Sequence, residues 1–297
     1  MRLEKVRMVQ FTKMQGIGND FVIVDAIQEP DLPSDLTSFA RTTCDRRFGV
    51  GGDGLILLER GETAPFRMRM FNPDGSESEM CGNGIRCFAM LLQSHGHLTE
   101  DRVDVETGAG KLTLNLVGAN RVRVDMGIAR LKRAEIGMTE GPEGPVALTL
   151  LRQSFGGQAT VPFSHCEPNG RGEGFAVSMG NPHLVIFVDD VAKIDLNEIG
   201  PKLEHHPEFP KRVNVHFVQV VDRAHLIQRT WERGAGITLA CGTGACACGV
   251  AASVTGRSDR CVEIQLPGGK LEIEYAEDGR VFMTGPAETV FTGEIAL

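Results

Sequence analysis

Two short motifs, each a cysteine followed by a glycine-rich turn, carry the clearest chemistry in this sequence. Cys81-Gly-Asn-Gly84 lies in the first half of the chain, and Cys241-Gly-Thr-Gly244 follows 160 positions later (241 − 81 = 160). Each motif precedes an apolar stretch that is predicted to form a buried helix. Backbone N–H groups at a helix start are unpaired and carry partial positive charge, and glycines let them approach a ligand closely. Each motif is therefore predicted to bind an anion such as a carboxylate or an enolate.

The position of the two thiols predicts proton transfer. A thiol at a helix N-terminus has a pKa of roughly 3.5–7.5 instead of about 8.5, so its thiolate can act as a general base near neutral pH. One such cysteine would suggest a nucleophile or a redox thiol. Because one stands in each half, we interpret Cys81 and Cys241 as one base and one acid on opposite faces of a single carbon, whose configuration is thereby inverted. The structural alternative is two small cysteines that pack beside a helix.

Further matching segments indicate that the second half of the chain repeats the first. In the same order as the cysteine motifs, the matching pairs are Gly18-Asn19 with Gly180-Asn181 and Phe71-Asn72 with Trp231-Glu232. The repeat predicts two similar α/β units that approach a ligand from two sides, and the alternative is chance matching of glycine-rich turns. Asn83 and Thr243 are predicted to cap the two helices.

The elements that must position these motifs are mostly strands. Apolar or alternating runs that end in turn residues predict strands at 22–25, 54–58, 67–71, 102–106, 111–117, 121–125, 185–188, 216–221, 226–231, 261–265, 270–275 and 280–284, with a last strand at about 287–297. Helices are predicted at 35–45, 84–94, 194–203 and 244–254. Residues 130–175 are predicted to be an irregular connection with one or two strands and no chemistry.

A set of polar side chains stands at the ends of these apolar runs. Separately, each can be explained as a turn-forming asparagine or a solvated charge pair. Together they supply the donors and acceptors that a small zwitterion with two carboxylates and two ammonium groups requires. The set consists of Asn19, Asn72, Asn181, Asn214 and the pair Glu232-Arg233. His183, at one of the repeat echoes, is either a further site residue or a buried core histidine.

Composition excludes several other classes of function. A net charge of −8 and a pI of about 5.5 argue against a nucleic-acid partner. The longest apolar stretch, Leu184–Val188, is too short to cross a membrane, and the charged N-terminus does not resemble a signal peptide. We therefore expect a cytoplasmic protein whose eight cysteines stay reduced. Neither the cysteine spacing nor His205-His206 and His216 matches a metal site, so no metal is expected.

At these residues the sequence resembles the diaminopimelate epimerase family along most of its length. The stretches that carry the resemblance are FTKMQGIGNDFVIVDA, RRFGVGGDGLILLE, FNPDGSESEMCGNGIRCFA, SMGNPHLVIFVDD, RVNVHFV and TWERGAGITLACGTGACA. The resemblance implies an α/β fold of the α+β type with two pseudo-symmetric domains, each a curled mixed β-sheet around a central helix. The active site would lie in the interdomain cleft. The expected domains are 1–125 plus 287–297, which contains Cys81, and 126–286, which contains Cys241.

The same resemblance implies the reaction and the site. The activity would be interconversion of LL- and meso-2,6-diaminopimelate in lysine and peptidoglycan precursor biosynthesis, by a homodimer without pyridoxal phosphate or any other cofactor. Cys81 and Cys241 would be the acid/base pair, and His183 and Glu232 would tune the thiols. Arg233 would pair with the distal carboxylate of the substrate. The implied substrate-binding residues are Asn19, Asn72, Gly82, Asn83, Asn181, Asn214, Glu232, Arg233, Gly242 and Thr243.

Two other functions remain open at this point. A proline racemase would also use two cysteines, but proline has no distal carboxylate for Arg233 to bind. An amino-acid binding protein without catalytic activity would not need a cysteine in both halves.

Overall fold

The chain folds into two compact units, and the computed structural model describes residues 7–144, 146–148 and 172–296. The first unit comprises Met1–Val124 and Thr284–Leu297, and the second comprises Asp125–Met283. The divisions fall within two strands, β8 (Arg121–Ile128) and β17 (Arg280–Pro286). No helix within the described ranges is long and apolar enough to cross a membrane.

The first unit is a mixed sheet with two helices. Its other strands are β1 (Met8–Gly16), β2 (Asn19–Asp25), β3 (Gly54–Arg60), β4 (Phe66–Phe71), β5 (Glu77–Ser78), β6 (Arg102–Thr107), β7 (Gly110–Leu116) and β18 (Glu288–Ala296). The pairs β2–β3 and β4–β6 are parallel, and the pairs β1–β18, β1–β2, β3–β4, β4–β5, β6–β7 and β7–β8 are antiparallel. The helices are α1 (Leu36–Cys44) and α2 (Gly82–Ser94).

The second unit follows the same plan. Its strands are β9 (Val146–Leu148), β10 (Gly172–Ser178), β11 (Pro182–Phe187), β12 (Asn214–Val220), β13 (His225–Glu232), β14 (Gly236–Thr238), β15 (Cys261–Leu266) and β16 (Gly269–Tyr275). The parallel pairs are β11–β12 and β13–β15. The helices are α3 (Arg133–Ile136), α4 (Leu196–Glu204) and α5 (Gly242–Val254), and a 3₁₀ turn spans Val191–Lys193.

The order of elements confirms the internal repeat. The succession β2, α1, β3, β4, β5, α2, β6, β7 in the first unit corresponds to β11, α4, β12, β13, β14, α5, β15, β16 in the second, with parallel pairs at the same two steps. The predicted fold class, two similar units that each wrap a mixed sheet around a helix, is therefore confirmed. Of the predicted connection at 130–175, the described part contains α3, β9 and the start of β10, and residues 145 and 149–171 lie outside the described residues.

Each sheet curls around one central helix because that helix is apolar on most sides. Helix α2 contacts β1, β2, β3, β7 and β18, and helix α5 contacts β10, β11, β12, β13, β15 and β16. Helix α5 consists mostly of Ala, Gly and Cys, and these small residues let the strands approach closely. A Cβ at Gly249, for example, would lie only 2.8 Å from Ile273 Cγ2. The outer face of each sheet is covered by α1 or α4, which completes a second core layer.

Both central helices begin two residues earlier than predicted, and this corrects the assignment of their caps. Cys81 and Cys241 occupy the N-cap positions with extended backbones (φ −134°, ψ 121° and φ −131°, ψ 103°). The prediction that Asn83 and Thr243 cap the helices is wrong, because both lie inside the first turn. The cysteine carbonyl groups already accept the first helical hydrogen bonds, at 2.9 Å in each case.

Candidate active site

The two N-cap thiols have the same local geometry in the two units. Cys81 makes no side-chain capping hydrogen bond to its helix, and Cys241 receives a hydrogen bond from the Gly244 amide in the first turn. The three residues that follow each thiol form the first helical turn, whose N–H groups have no acceptor within the helix. These are Gly82, Asn83 and Gly84 in α2, and Gly242, Thr243 and Gly244 in α5. Each unit therefore places one thiol beside a set of amide donors that suits a carboxylate or an enolate oxygen.

In the first unit, three polar side chains meet at the start of α2. Cys81 Sγ lies 3.6 Å from Asn19 Oδ1, and Asn83 Nδ2 donates to the same oxygen at 3.3 Å. Asn19 Nδ2 in turn donates to Asp53 Oδ2 at 2.6 Å, which fixes the orientation of the Asn19 amide. The thiol thus faces a carbonyl oxygen that is held in place from its other side.

Asn83 offers this half-site an acceptor for a ligand. Its side chain is 2% exposed, and no described residue donates a hydrogen bond to its Oδ1 atom. A buried acceptor without a donor is costly, so this oxygen suits an N–H group such as a substrate ammonium. Asn72, which follows β4, donates to Ser76 Oγ at 3.0 Å. The hydrogen bonds described above join Asn19, Asn83 and Cys81, and they do not include Asn72.

In the second unit, the thiol is more deeply buried and lies against a carboxyl group. Cys241 is 5% exposed and forms a side-chain hydrogen bond with Glu232. Glu232 Oε1 also accepts from Thr238 Oγ1 at 2.5 Å, and Thr243 Oγ1 lies 3.9 Å from Cys241 Sγ. The structure therefore brings together the predicted residues Cys241, Glu232 and Thr243.

The pKa of Cys241 is raised well above its ordinary value, contrary to the lowering expected at a helix start. Burial is the main cause, and the charge of Glu232 adds to it, whereas hydrogen bonds from the Gly244 amide and Thr243 act in the opposite direction. Burial also raises the pKa of Glu232, against the hydrogen bonds to Thr238 and Cys241. Desolvation outweighs the helix dipole here, so Cys241 is a protonated thiol near neutral pH.

His183 belongs to a chain of hydrogen bonds that leads toward this thiol. Its Nε2 atom lies 2.9 Å from Asn181 Oδ1, and its Nδ1 atom lies 2.8 Å from His216 Nε2. Asn181 Nδ2 is 3.5 Å from Thr243 Oγ1, the group beside Cys241. His183 thus reaches the thiol through Asn181 and Thr243.

Both histidines of this chain are neutral. Burial lowers the pKa of His216 to about 3. Burial also lowers the pKa of His183 well below its ordinary value, and the neighbouring His216 and the Arg233 guanidinium disfavour its protonation further. A neutral His183 that donates from Nε2 to Asn181 must accept at Nδ1 from His216. His216 Nδ1 then accepts from Thr230, 3.0 Å away. All the hydrogen bonds in this chain are therefore donated in the same direction, from Thr230 toward Asn181. The chain fixes the orientation of the Asn181 amide and supplies no charge to the site.

Asn214 and Arg233 form a separate contact in the second unit. Asn214 Oδ1 accepts from the Arg233 backbone N–H at 2.9 Å, and Asn214 Nδ2 donates to Pro182 O at 3.1 Å. The Arg233 side chain is exposed and donates from Nη1 to the Lys211 carbonyl at 3.0 Å. Asn214 therefore fixes the backbone that carries the guanidinium, and the guanidinium itself lies at the protein surface.

Sequence reasoning missed the role of His216 in this site. Asn214 and His216 lie two residues apart on β12, so their side chains share one face of the strand. That alternation within RVNVHFV was the available signal. Gly244 belongs with His216, because a Cβ at this position would lie 2.3 Å from His216 Cε1 and 3.0 Å from Cys241 Sγ. The glycine allows the helix start to contact the imidazole.

Comparison with known proteins identifies relatives over nearly the whole chain. A family model described as diaminopimelate epimerase matches residues 11–132 and 175–290. The diaminopimelate epimerase of Moorella thermoacetica is 50% identical over 295 residues, which are 97% of this chain and 100% of that protein. Diaminopimelate epimerase 1 of a Nostoc species is 49% identical over 292 residues, which are 97% of this chain and 99% of that protein.

Solved structures with low sequence identity share the fold. A hydroxyproline epimerase from Agrobacterium vitis aligns with a TM-score of 0.61 at 16% identity, over 100% of this chain and 93% of that one. A PhzF-family phenazine biosynthesis protein from Bacillus anthracis aligns with a TM-score of 0.66 at 17% identity, over 98% of this chain and all of that one. At these identities the likeness concerns the fold alone.

The close contact between Gly244 and His216 predicts that an alanine at position 244 destabilises the protein. Gly84, the equivalent position in the first unit, provides the control. Gly244→Ala should lower the free energy of unfolding by about 1–3 kcal/mol, because the new methyl group overlaps a buried imidazole that is fixed on both sides. Gly84→Ala meets only the end of the Ile56 side chain, at 2.9 Å. Its cost should be offset by the better helix propensity of alanine, about 1 kcal/mol. Urea denaturation of both variants measures the difference, and equal losses would contradict this interpretation.

Proposed function

The chain belongs to the diaminopimelate epimerase family and is an isomerase; from that premise we propose that it interconverts LL- and meso-2,6-diaminopimelate by a two-base proton transfer between Cys81 and Cys241. The observation that supports this mechanism most strongly is that both units have the same arrangement around a cysteine. Each of two similar units places a thiol at the N-cap of a buried helix, directly before a turn of amide donors.

The proposed reaction needs no cofactor, and its protons balance because one is removed from the substrate and another is donated to it. A thiolate on one face of the α-carbon removes the α-proton and becomes a thiol. The thiol on the other face donates its proton to the resulting carbanion and becomes a thiolate, so the configuration is inverted. The negative charge that develops on the α-carboxylate is stabilised by the amide groups at the helix starts, which are already oriented toward an anion.

The surroundings of Cys241 suit the donor in this step. Its thiol is protonated because burial and Glu232 raise its pKa. The direction of turnover in which Cys241 donates therefore requires no earlier proton transfer to it, and Cys81 is the base in that direction. In the reverse direction, Cys241 has to lose its proton, and the N–H of Gly244 together with Thr243 stabilises the thiolate that forms. Glu232 and His183 are proposed to adjust and position this thiol.

The remaining polar residues are proposed to bind the substrate. Their chemistry fits a molecule with two amino-acid head groups: amide donors for carboxylates, carbonyl oxygens for ammonium groups and one guanidinium for the distal carboxylate. The proposed binding residues are Asn19, Asn72, Gly82, Asn83, Asn181, Asn214, Glu232, Arg233, Gly242 and Thr243.

A comparison of two substrates tests the proposed specificity. The enzyme should exchange the α-proton of diaminopimelate with solvent deuterium and should leave proline unlabelled, because proline cannot pair with Arg233 at a distal carboxylate. Proton NMR of both amino acids in deuterated water measures the two rates. Faster exchange of proline than of diaminopimelate would overturn the substrate assignment. If neither amino acid exchanged its α-proton, the proposed epimerase activity would be contradicted.

Single-cysteine variants test the mechanism. Cys81→Ala and Cys241→Ala should each reduce net inversion by at least the ~10²–10⁴-fold that one positioned acid or base supplies. The surviving thiol should still exchange the α-proton on the face that it contacts, with retention of configuration. The two variants should therefore exchange opposite stereocentres, which deuterium NMR with LL and meso substrate distinguishes.

The exposed thiol of Cys261 supplies the control for these variants. Cys261→Ala should keep full epimerase activity, which shows that loss of a thiol alone is not harmful. If both catalytic-cysteine variants label the same isomer, or if one of them keeps full activity, the two-base assignment is wrong.

The cellular setting is also a proposal. We infer a cytoplasmic location, because the chemistry requires reduced thiols, and detection of the protein in a secreted fraction would contradict it. We infer a homodimer from the exposed apolar side chains Val290 and Phe291 on β18, and a solution mass equal to the single-chain 32.2 kDa would contradict it. A role in lysine and peptidoglycan precursor synthesis predicts that a deletion strain requires meso-diaminopimelate for growth.

A further inference from the structure

A cluster of two imidazoles and one carboxylate lies in the first unit and takes no part in the proposed proton transfer. Asp25 Oδ2 is 2.8 Å from His95 Nδ1 and 2.7 Å from His97 Nε2. One ligand atom from each of the three residues lies within 4.8 Å of the other two. Asp25 is 4% exposed, and the side chains of His97 and His95 are 11% and 28% exposed. The cluster is thus mostly withdrawn from solvent.

Backbone structure fixes the carboxylate in this arrangement. Asp25 is the last residue of β2, and its Oδ1 atom accepts hydrogen bonds from the N–H groups of Ile27 and Gln28 at 3.1 and 3.3 Å. The other oxygen, Oδ2, is thereby directed at the two histidines. Such outer hydrogen bonds to a ligating carboxylate are typical of metal sites.

The histidines come from the opposite end of the helix that begins at Cys81. His95 is the C-cap residue of α2, and His97 follows two residues later. A helix C-terminus carries partial negative charge and favours a cation. Because α2 has 13 residues and rises ~1.5 Å per residue, the cluster lies on the order of 20 Å from the start of the helix.

The donor set and its surroundings fit one class of ion. Two imidazole nitrogens and one carboxylate oxygen suit a divalent first-row transition metal, with bond lengths of about 2.0–2.2 Å for Zn²⁺. A cavity of about 300 Å³ adjoins the cluster, and its lining includes Asp25, His95, Gln28 and Glu29. This space admits a water molecule or a small anion as a fourth ligand.

We propose that Asp25, His95 and His97 bind one divalent transition-metal ion, with Zn²⁺ as the expected ion. The site is structural: it links the end of β2 to the end of α2. The same two elements begin at Asn19 and next to Cys81, so the ion fixes their relative position from the end opposite the thiol. The proton transfer itself does not involve the ion. The sequence predicts no metal, and the proposed site departs from that prediction, because its three ligands meet only in the folded unit.

The structure contains a matched control for the simpler explanation, an ordinary histidine–aspartate ion pair. His225 Nδ1 lies 2.8 and 2.9 Å from the two carboxylate oxygens of Asp222, at the protein surface. This pair has the same contact distance as the cluster but only one imidazole. Substitution of His225 therefore removes a histidine–aspartate contact without removing a ligand of the proposed site.

Metal titration of the chelator-treated enzyme tests the proposal. The intact protein should bind one equivalent of Zn²⁺ in calorimetry, and it should bind Co²⁺ with the visible absorption of a low-coordinate nitrogen and oxygen site. His95→Gln and His97→Gln should each weaken binding by more than the ~10–100-fold that loss of an outer-shell partner causes. His225→Gln should bind as the intact protein does. Zn²⁺ should also raise the Tm of the intact protein and of His225→Gln, and leave the Tm of the two cluster variants unchanged.

Three results would overturn the proposal: no saturable binding to the intact protein, equal binding by all the variants, or an intense near-ultraviolet thiolate band that places Co²⁺ on cysteines. Far-ultraviolet circular dichroism verifies that each variant is folded. If one histidine variant does not fold, the other and Asp25→Asn decide the outcome.

Discussion

The structure depends on one constraint, which is that a thiol must serve as the N-cap of a buried helix in each unit. A serine, threonine or aspartate at that position would satisfy an amide of the first turn with its own side chain. A cysteine sulfur is a weaker acceptor: Cys81 makes no capping bond of this kind, and Cys241 receives one from the Gly244 amide. The helix starts are therefore less completely satisfied by their own caps, which suits a ligand beside each thiol. The glycines of the motifs let the backbone at each helix start approach a ligand closely, and the curled sheets bury both helices.

The two half-sites are alike in backbone and different in chemistry. In the first unit, amide side chains surround Cys81, and one buried carbonyl oxygen, on Asn83, is left for a ligand. In the second unit, Glu232 contacts Cys241, and two neutral histidines are linked to it through other side chains. Burial keeps the Cys241 thiol protonated. Because the surroundings set the protonation state of a thiol, the two different environments fit the proposed division of roles between an acid and a base.

The sequence predicted the repeated architecture well, because strands and central helices are marked by apolar runs that end in turns. It did not predict β1, since that strand buries Thr12 and Lys13 among its apolar residues. Lys13 is tolerated there because it pairs with Asp20 and the Gly51 carbonyl. That compensation joins distant parts of the chain and leaves no local pattern.

The same limit applies to the site. The residue types of the motifs singled out the thiols and their neighbours, and the position of each thiol at a helix start predicted that it would be acidic. The raised pKa of Cys241 depends on burial and on Glu232, nine positions away in sequence (241 − 232 = 9). The role of His216 and the cluster at Asp25, His95 and His97 likewise depend on tertiary contacts between separate elements.

The central claim is that two different groups remove and deliver the proton, and the unmodified enzyme in deuterated water tests it most directly. Starting from LL-diaminopimelate, NMR at early times measures deuterium at the inverted carbon of the product and at the α-carbons of the remaining substrate. Two bases predict deuterium in each new meso molecule while the recovered LL substrate still carries hydrogen. Product that retains the original hydrogen, or equal labelling of substrate and product from the start, would contradict the account.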